Sequence, residues 1–283
     1  MKRVVVLAAL LASSIAIAWA YAEQISAPRR RGAEFVADLH RMGLKQMLPD
    51  TSARFYLHKR EAVVGWRAAL GGYRPDGTYE GLDIVLRQIS EGNAAGQWER
   101  WRLDDSANTG YYVAGGFRFR EGQWEVIPTT WIKLAGPRVL VQQNIKGRAF
   151  RSAADVPDSY LPEGTMDLAL RAMRGQARSR QFNFIDNSIP PTGGKPQFIG
   201  LKLRDITEET PLPAGTVAAI ESSIAGQPKE IVFLDEQGLI HTTKRGKLSE
   251  TRSSPAELYE HFPQLDGQLR QIQQAVQLVA PLD

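Results

Sequence analysis

The period of apolar and polar positions changes along the chain, and each period predicts its own kind of element. Between Ala33 and Leu48, Phe35, Leu39 and Met42 recur at i, i+4 and i+7, which predicts a helix closed by Pro49. From Arg54 the period falls to two for about a hundred residues, the pattern of consecutive antiparallel strands. The first predicted strand, Phe55 to Leu70, sets Ala62, Val64, Trp66, Ala68 and Leu70 on one face. Tyr79 to Ile89 follows, with Leu82, Ile84 and Leu86 opposite Asp83 and Arg87. Gly92 to Gly96 is expected to loop, and Gln97 to Leu103 then sets Trp101 and Leu103 against Arg100 and Arg102. Tyr111 to Arg120 aligns Tyr111, Val113, Phe117 and Phe119, and a tight turn is expected at Glu121-Gly122. Gln123 to Leu134 carries Trp124, Val126, Ile132 and Leu134, and Pro128 inside it predicts a bulge, a bend or an edge position. Val139 to Phe150 places Val139, Val141 and Ile145 together. Six two-sided strands in succession predict an up-and-down antiparallel sheet.

An apolar sheet face needs a cover, and the chain supplies candidates. A short helix is expected at Thr165 to Arg174, strands at Gln181 to Ile185 and Gln197 to Ile206, and a hairpin at Lys229 to Lys244 turning on Glu236-Gln237-Gly238. Ser254-Pro255-Ala256-Glu257 is a capping box with Pro at the first helical position. A last helix near Leu265 to Val279 aligns Leu265, Leu269, Ile272, Val276 and Val279. The expected fold class is therefore α+β: a strongly curved antiparallel sheet, a half-barrel, covered by helices from the N- and C-terminal segments. Residues 23–53 form a stem and helix, 54–253 the curved β domain with its inserted helix at 165–174, and 254–283 the C-terminal helices.

Residues 1–22 read as an export signal, with Lys2 and Arg3 ahead of an apolar run and small-x-small sites at Ala18-Trp19-Ala20 and Ala20-Tyr21-Ala22. An uncleaved anchor is the alternative, since the apolar run from Val4 to Ala22 is long enough to span a bilayer. Either way the body of the chain is expected outside the cytoplasm, periplasmic or anchored facing that side. The absence of Cys removes a disulfide framework, a thiol nucleophile and a lipid-modified cysteine. Loss of Lys2 and Arg3 with the signal leaves 33 basic residues against 31 acidic ones, too even for a nucleic-acid partner. Arg29, Arg30 and Arg31 could touch anionic headgroups, but three charges fall short of the usual basic cluster, which favours a solvated stem.

Catalytic signatures are missing. There is no Gly-x-Ser-x-Gly elbow and no Ser-x-x-Lys pair, and His40, His58, His241 and His261 lie too far apart in sequence to resemble a zinc site. Gly193-Gly194-Lys195 lacks the upstream glycine and following helix of a phosphate loop. Gly115-Gly116 in mid-strand predicts a bend or a close approach to the backbone. Asp104-Asp105, Glu208-Glu209 and the set Asp155, Asp158 and Glu163 keep open a hydrolase that works through loop carboxylates. No catalytic residue, metal ligand or cofactor is assigned.

Aromatic residues carry the remaining signal. Trp66, Trp101, Phe117, Phe119 and Trp124, with Ile84, Ile132 and Val141, are the expected lining of the concave face. They would form either a filled core or the wall of a cavity holding a lipid or other apolar ligand. In its order of elements the chain resembles the periplasmic half-barrel proteins of the lipoprotein-carrier (LolA-like) kind. The segments that suggest it are Arg60-Glu61-Ala62-Val63-Val64-Gly65 and Ile231-Val232-Phe233-Leu234-Asp235-Glu236-Gln237-Gly238, within a span of roughly 54 to 250. The resemblance implies a non-enzymatic envelope protein that holds lipid chains in its concave face. An accessory module with a filled core, acting through surface loops, is the other expectation.

Overall fold

Fourteen strands, counted among the described residues, join edge to edge in one antiparallel sheet. The structure, a computed structural model, describes residues 2–90, 93–120 and 123–282. Helix α1 (Lys2–Met42) is followed by β1 (Thr51–Lys59), β2 (Val63–Tyr73), β3 (Tyr79–Ser90), β4 (Asn93–Leu103), β5 (Thr109–Arg120), β6 (Gln123–Ala135), β7 (Arg138–Ile145) and β8 (Arg148–Asp155). Helix α2 (Met166–Met173) precedes β9 (Arg180–Ile185), β10 (Phe198–Asp205), β11 (Ala218–Ile224), β12 (Glu230–Leu234), β13 (Ile240–Arg245) and β14 (Leu248–Ser253). Helices α3 (Pro255–His261) and α4 (Leu265–Gln277) end the chain. The spatial order runs β8 to β1, then β14 to β9, so β1 and β14 zip two meanders together at mid-sheet.

The sheet curls until its ends meet. Gln143 on β7 donates to the Asp186 carbonyl beyond β9 at 3.0 Å, and the Ala153 amide on β8 donates to the Gly194 carbonyl at 3.2 Å. One apolar cluster collects Val139 and Val141 of β7, Tyr56 of β1 and Leu201 and Leu203 of β10, strands far apart in the sheet order. These side chains therefore share the enclosed face. Phe35, Val36 and Leu39 of α1 and Leu168, Leu170 and Met173 of α2 fill part of that interior. The outer face of β1 to β5 is buried too: Leu57, Trp66, Ile84, Trp98, Val113 and Phe117 lie beneath Leu258 of α3 and Leu265, Ile272 and Val276 of α4. Each such large side chain contributes about 1.5–3 kcal/mol by leaving water.

The α+β curved sheet with helical covers at both ends is the expected fold, with differences in detail. The expected strand Phe55 to Leu70 is a hairpin, β1 and β2, turning at residues 60–62 without Gly, Pro or Asn to mark it. Val139 to Phe150 likewise divides into β7 and β8 at Lys146 and Gly147, whose φ angles of 51° and 76° form the left-handed pair a tight hairpin needs. Gly96, expected in a loop, lies inside β4, whereas Gly92 and the Glu121-Gly122 turn fall outside the described residues. The period of two does not pick out β14, whose sequence Leu-Ser-Glu-Thr-Arg-Ser offers one apolar residue, nor β11, although turns at Gly215 and Gly226 flank it. The capping box forms as expected: Ser254 Oγ accepts from the Glu257 amide.

Pro128 does mark a bulge, and the bulge has a consequence for facing. The β5–β6 register slips between Ala114 and Gly115, so Phe117 pairs with Val126 whereas Tyr112 pairs with Ile132. One extra residue reverses the side-chain phase. Trp124 and Val126 consequently turn to the outer cluster, and Ile132 and Leu134 turn inward, although all four have even numbers.

The first helix ends at Met42 rather than Leu48, with Gly43 at φ 82° after it. Its second half packs on β9. Gly32 allows this approach, since a Cβ there would sit 2.1 Å from the Gln181 carbonyl oxygen. Arg31 donates to the Ser179 carbonyl, Phe35 meets Phe182 edge to face, and Arg30 pairs with Glu23 on the exposed side. Ile15, Ile17, Trp19 and Tyr21 of the first half project into solvent. No helix among the described residues is long and apolar enough to cross a membrane.

Candidate functional site

Cross-strand register arranges the inner face in rows, and the rows differ in chemistry. One row runs Ser52, Gly71, Gly81, Trp101, Tyr112, Ile132 and Val141. The next runs Arg54, Ala69, Asp83, Glu99, Ala114, Thr130 and Gln143. Two residues further along each strand come Tyr56, Arg67, Val85, Gln97 and Gly116. An apolar layer thus gives way, within two rows, to a layer of buried charge.

Arg67 is the hub of that layer. Its Nε donates to both Asp83 carboxylate oxygens, at 2.9 and 2.8 Å, and its Nη1 donates to Glu250 on β14 at 2.7 Å. Burial works against the guanidinium's charge, but the two carboxylates outweigh it and hold its pKa well above the ordinary value. Burial also pushes the Glu250 carboxyl up; Arg67 and His58 overcome it and bring it down to about 2. His58 Nε2 lies 2.9 Å from Glu250 Oε2, an ion-pair distance at an angle poor for hydrogen bonding. A second buried pair, Arg54 Nη2 to Asp167 Oδ2 at 2.5 Å, ties β1 to α2.

Glu99 and Glu163 are placed differently, because each has a tyrosine rather than a cation as its hydrogen-bond partner. Tyr112 donates to Glu99 Oε2 at 2.8 Å, and Tyr160 donates to Glu163 Oε2 at 2.5 Å. Burial, then the neighbouring Asp83 charge, push the Glu99 carboxyl up to about 7. Burial raises Glu163 as well, against its hydrogen bonds from Tyr160 and the Ile185 amide.

Cavities run through this layer. One of about 590 Å³ is lined by His58, Arg67, Asp83, Glu99, Tyr112 and Glu250, among others. A second, of about 270 Å³, shares Arg67, Asp83 and Glu99 with it and adds Ala69, Trp101, Met166 and Phe184. A third, of about 310 Å³, shares Arg54, Trp101 and Asp167 with the second and reaches Leu48 and Leu239. Trp101 sits where two glycines clear space for it: a Cβ on Gly81 or on Gly164 would lie 2.2 Å from its ring. Tyr79 stacks on the other side, centroids 5.4 Å apart.

The eight aromatic and aliphatic residues expected to line one concave face divide between two faces. Trp66, Ile84, Phe117 and Trp124 belong to the outer cluster under α3 and α4, where Phe119 also touches Trp124 at 5.1 Å. Trp101, Ile132 and Val141 face inward. Trp101 is the one of the eight that lines the cavities described above. Both faces of β2 to β5 are buried, so an alternating pattern marks two cores without saying which is enclosed. Of the loop carboxylates, Asp104 accepts the Asn108 and Thr109 amides, Asp105 accepts the Lys45 amide and Glu209 pairs with Arg204, whereas Glu163 lines the second cavity. Among the described residues no group of His, Asp and Glu side chains could hold a metal ion.

Arg67, Asp83, Glu99 and Glu250, which compose the charged layer, sit on strand positions whose polar character suggested solvent. The available cue was that Asp83 stands between Leu82 and Ile84 and that Glu99 follows Trp98 directly, with Trp101 two residues on, in strands rich enough to be covered on both sides.

No protein-family model matches the chain, and no curated protein matches it. Among solved structures it is similar to a β-barrel-like protein of a domain of unknown function (DUF1849) from Brucella abortus, at 12% identity over 73% of this chain and 96% of that one, with a TM-score of 0.48.

Proposed function

We propose that this is an exported, non-enzymatic binding protein of the cell envelope, holding a lipid-like amphipathic ligand inside the curled sheet. The observation that carries the reading is the change of chemistry along adjoining cavities. Charged and hydrogen-bonding groups line the cavity of about 590 Å³, and its neighbour adds Ala69, Leu82, Trp101, Met166 and Phe184 to the charged groups they share. A molecule with a polar head and an apolar tail matches that gradient. The exposed Ile15, Ile17, Trp19 and Tyr21 support a position at a membrane surface, as does the basic group Arg29 to Arg31 beyond them. The lipoprotein-carrier resemblance points the same way through its order of elements.

Solvent extraction and mass spectrometry of the purified protein should release lipid. A titration with the neutral fluorescent probe N-phenyl-1-naphthylamine should give saturable uptake. Ala69→Phe, which fills the second cavity, should weaken that uptake at least tenfold. A folded protein that neither carries lipid nor takes up the probe would overturn the reading.

A further inference from the structure

Resting on that reading, we propose that the charged end of the interior is a subsite for a primary ammonium group, so that the ligand is an amine-bearing amphiphile. Three observations converge on it.

The first is the balance of charge. Asp83, Glu99, Glu163, Asp167 and Glu250 line the two adjoining cavities, against the guanidinium groups of Arg54, Arg67 and Arg87. Arg67 is shared by Asp83 and Glu250, and Arg54 is engaged by Asp167. Glu99 and Glu163 have tyrosine hydroxyls as hydrogen-bond partners, with no cation in ion-pair contact with either among the described residues. An anionic head would add charge where carboxylates already exceed cations. A cation relieves the excess.

The second is a set of acceptors lacking donors. His58 is 2% exposed and lines the cavity of about 590 Å³, and neither of its ring nitrogens has a hydrogen-bond partner. Asn187, just beyond β9, lines the same cavity with its Oδ1 unpartnered. An –NH₃⁺ group has three donors and no acceptor, and suits a cavity that offers the Glu99 carboxyl and the unpartnered Asn187 Oδ1.

The third is the neighbouring cavity, where Leu82, Trp101, Met166 and Phe184 stand beside the charged groups and give an apolar tail a wall to pack on from the same point. The groups that set the charge of Glu99 are Asp83 of β3, Arg67 of β2, Tyr112 of β5 and Glu163 ahead of α2, with His58 of β1 and Glu250 of β14 across the cavity. Burial and Asp83 keep the Glu99 proton on up to about pH 7, so an ammonium must expel that proton below neutrality and meets a ready carboxylate above it.

The test displaces N-phenyl-1-naphthylamine from the full chain with dodecylamine, dodecanol and dodecanoate at pH 6 and pH 8. The amine stays cationic at both, its pKa being close to that of lysine, about 10.4. At pH 8 dodecylamine should displace the probe at a concentration at least tenfold below dodecanol, with the advantage shrinking toward pH 6. Glu99→Gln should abolish the advantage and leave the dodecanol curve in place; should that variant fail to fold, Asn187→Leu should at least halve the advantage. Equal displacement by all three in the wild type, or preference for dodecanoate, would overturn the ammonium subsite and leave the binding reading standing. Failure of the probe itself to bind would overturn both.

Discussion

Asp83 on β3 stands directly opposite Glu99 on β4, two carboxylates in register on the enclosed face of the sheet. Like charges so placed destabilise a strand pair. Here the conflict is resolved asymmetrically. Asp83 takes both oxygens to Arg67, and Glu99 keeps its proton to about pH 7 with Tyr112 as its partner.

The stability of the protein should therefore carry a signature of Glu99. Its folded pKa of about 7 lies above the ordinary 4.5, so below pH 4.5 it is protonated in both states and has no effect. As pH rises from 4.5 the unfolded chain ionises first, and the folded state loses stability until about pH 7, by up to about 3 kcal/mol in all. Glu99→Gln preserves a partner for Tyr112 and removes the titration. Urea denaturation should show the variant gaining on the wild type between pH 4 and pH 8; an identical difference at both pH values would refute the assignment.

Glu250 acts in the opposite sense. With its pKa brought down to about 2, it contributes stability that is complete above pH 4.5 and is lost as pH falls toward 2. Arg67→Met would leave Asp83 and Glu250 buried without their cation, and should cost about 3–5 kcal/mol at pH 7. The loss should be smaller at pH 3, where protonation of the carboxyls relieves it. A loss under 1 kcal/mol at pH 7 would show that water already compensates the pair.

Arg100 gives a test of the outer face. It is 6% exposed and donates to the Val276 and Val279 carbonyls at 3.1 and 2.8 Å, where α4 ends. The Val276 carbonyl also accepts the Val279 amide at 3.1 Å, and Arg100 adds a second donor to it. Arg100→Met should cost about 2 kcal/mol and speed amide exchange in the last turn of α4 first. Unchanged exchange there would mean that apolar packing alone holds the helix.

The N-terminal half of α1 is predicted to act separately from the barrel. Deleting residues 1–22 should leave the thermal unfolding midpoint of the body unchanged, since contacts to β9 begin later in the helix, near Ala27 and Gly32. The full chain should sediment with vesicles and the truncated chain should not. N-terminal sequencing of protein from the envelope fraction would decide between a cleaved signal and a retained anchor.

The charged layer was hidden in the sequence for a specific reason. Arg67, Asp83 and Glu99 occupy alternate positions in strands whose other side is apolar, which in an isolated sheet means exposure to water. Their burial depends on Glu250, 183 residues from Arg67. It depends also on β14, whose Leu-Ser-Glu-Thr-Arg-Ser sequence carries no strand signal of its own.

By itself, the sequence determined the local elements: the strands of two-residue period, the Ser254 cap and the bulge at Pro128. Each follows from sterics and hydrogen bonding among residues close along the chain. Tertiary structure alone decided which face is enclosed, because Trp66 and Trp101 are equally apolar, and the difference lies in what covers them, α3 and α4 for one and the curled sheet with α2 for the other. It also decided that a row of charge belongs inside, since strand pairing sets Arg67 beside Asp83 and across β1 from Glu250, and the docking of α2 brings Asp167 to Arg54.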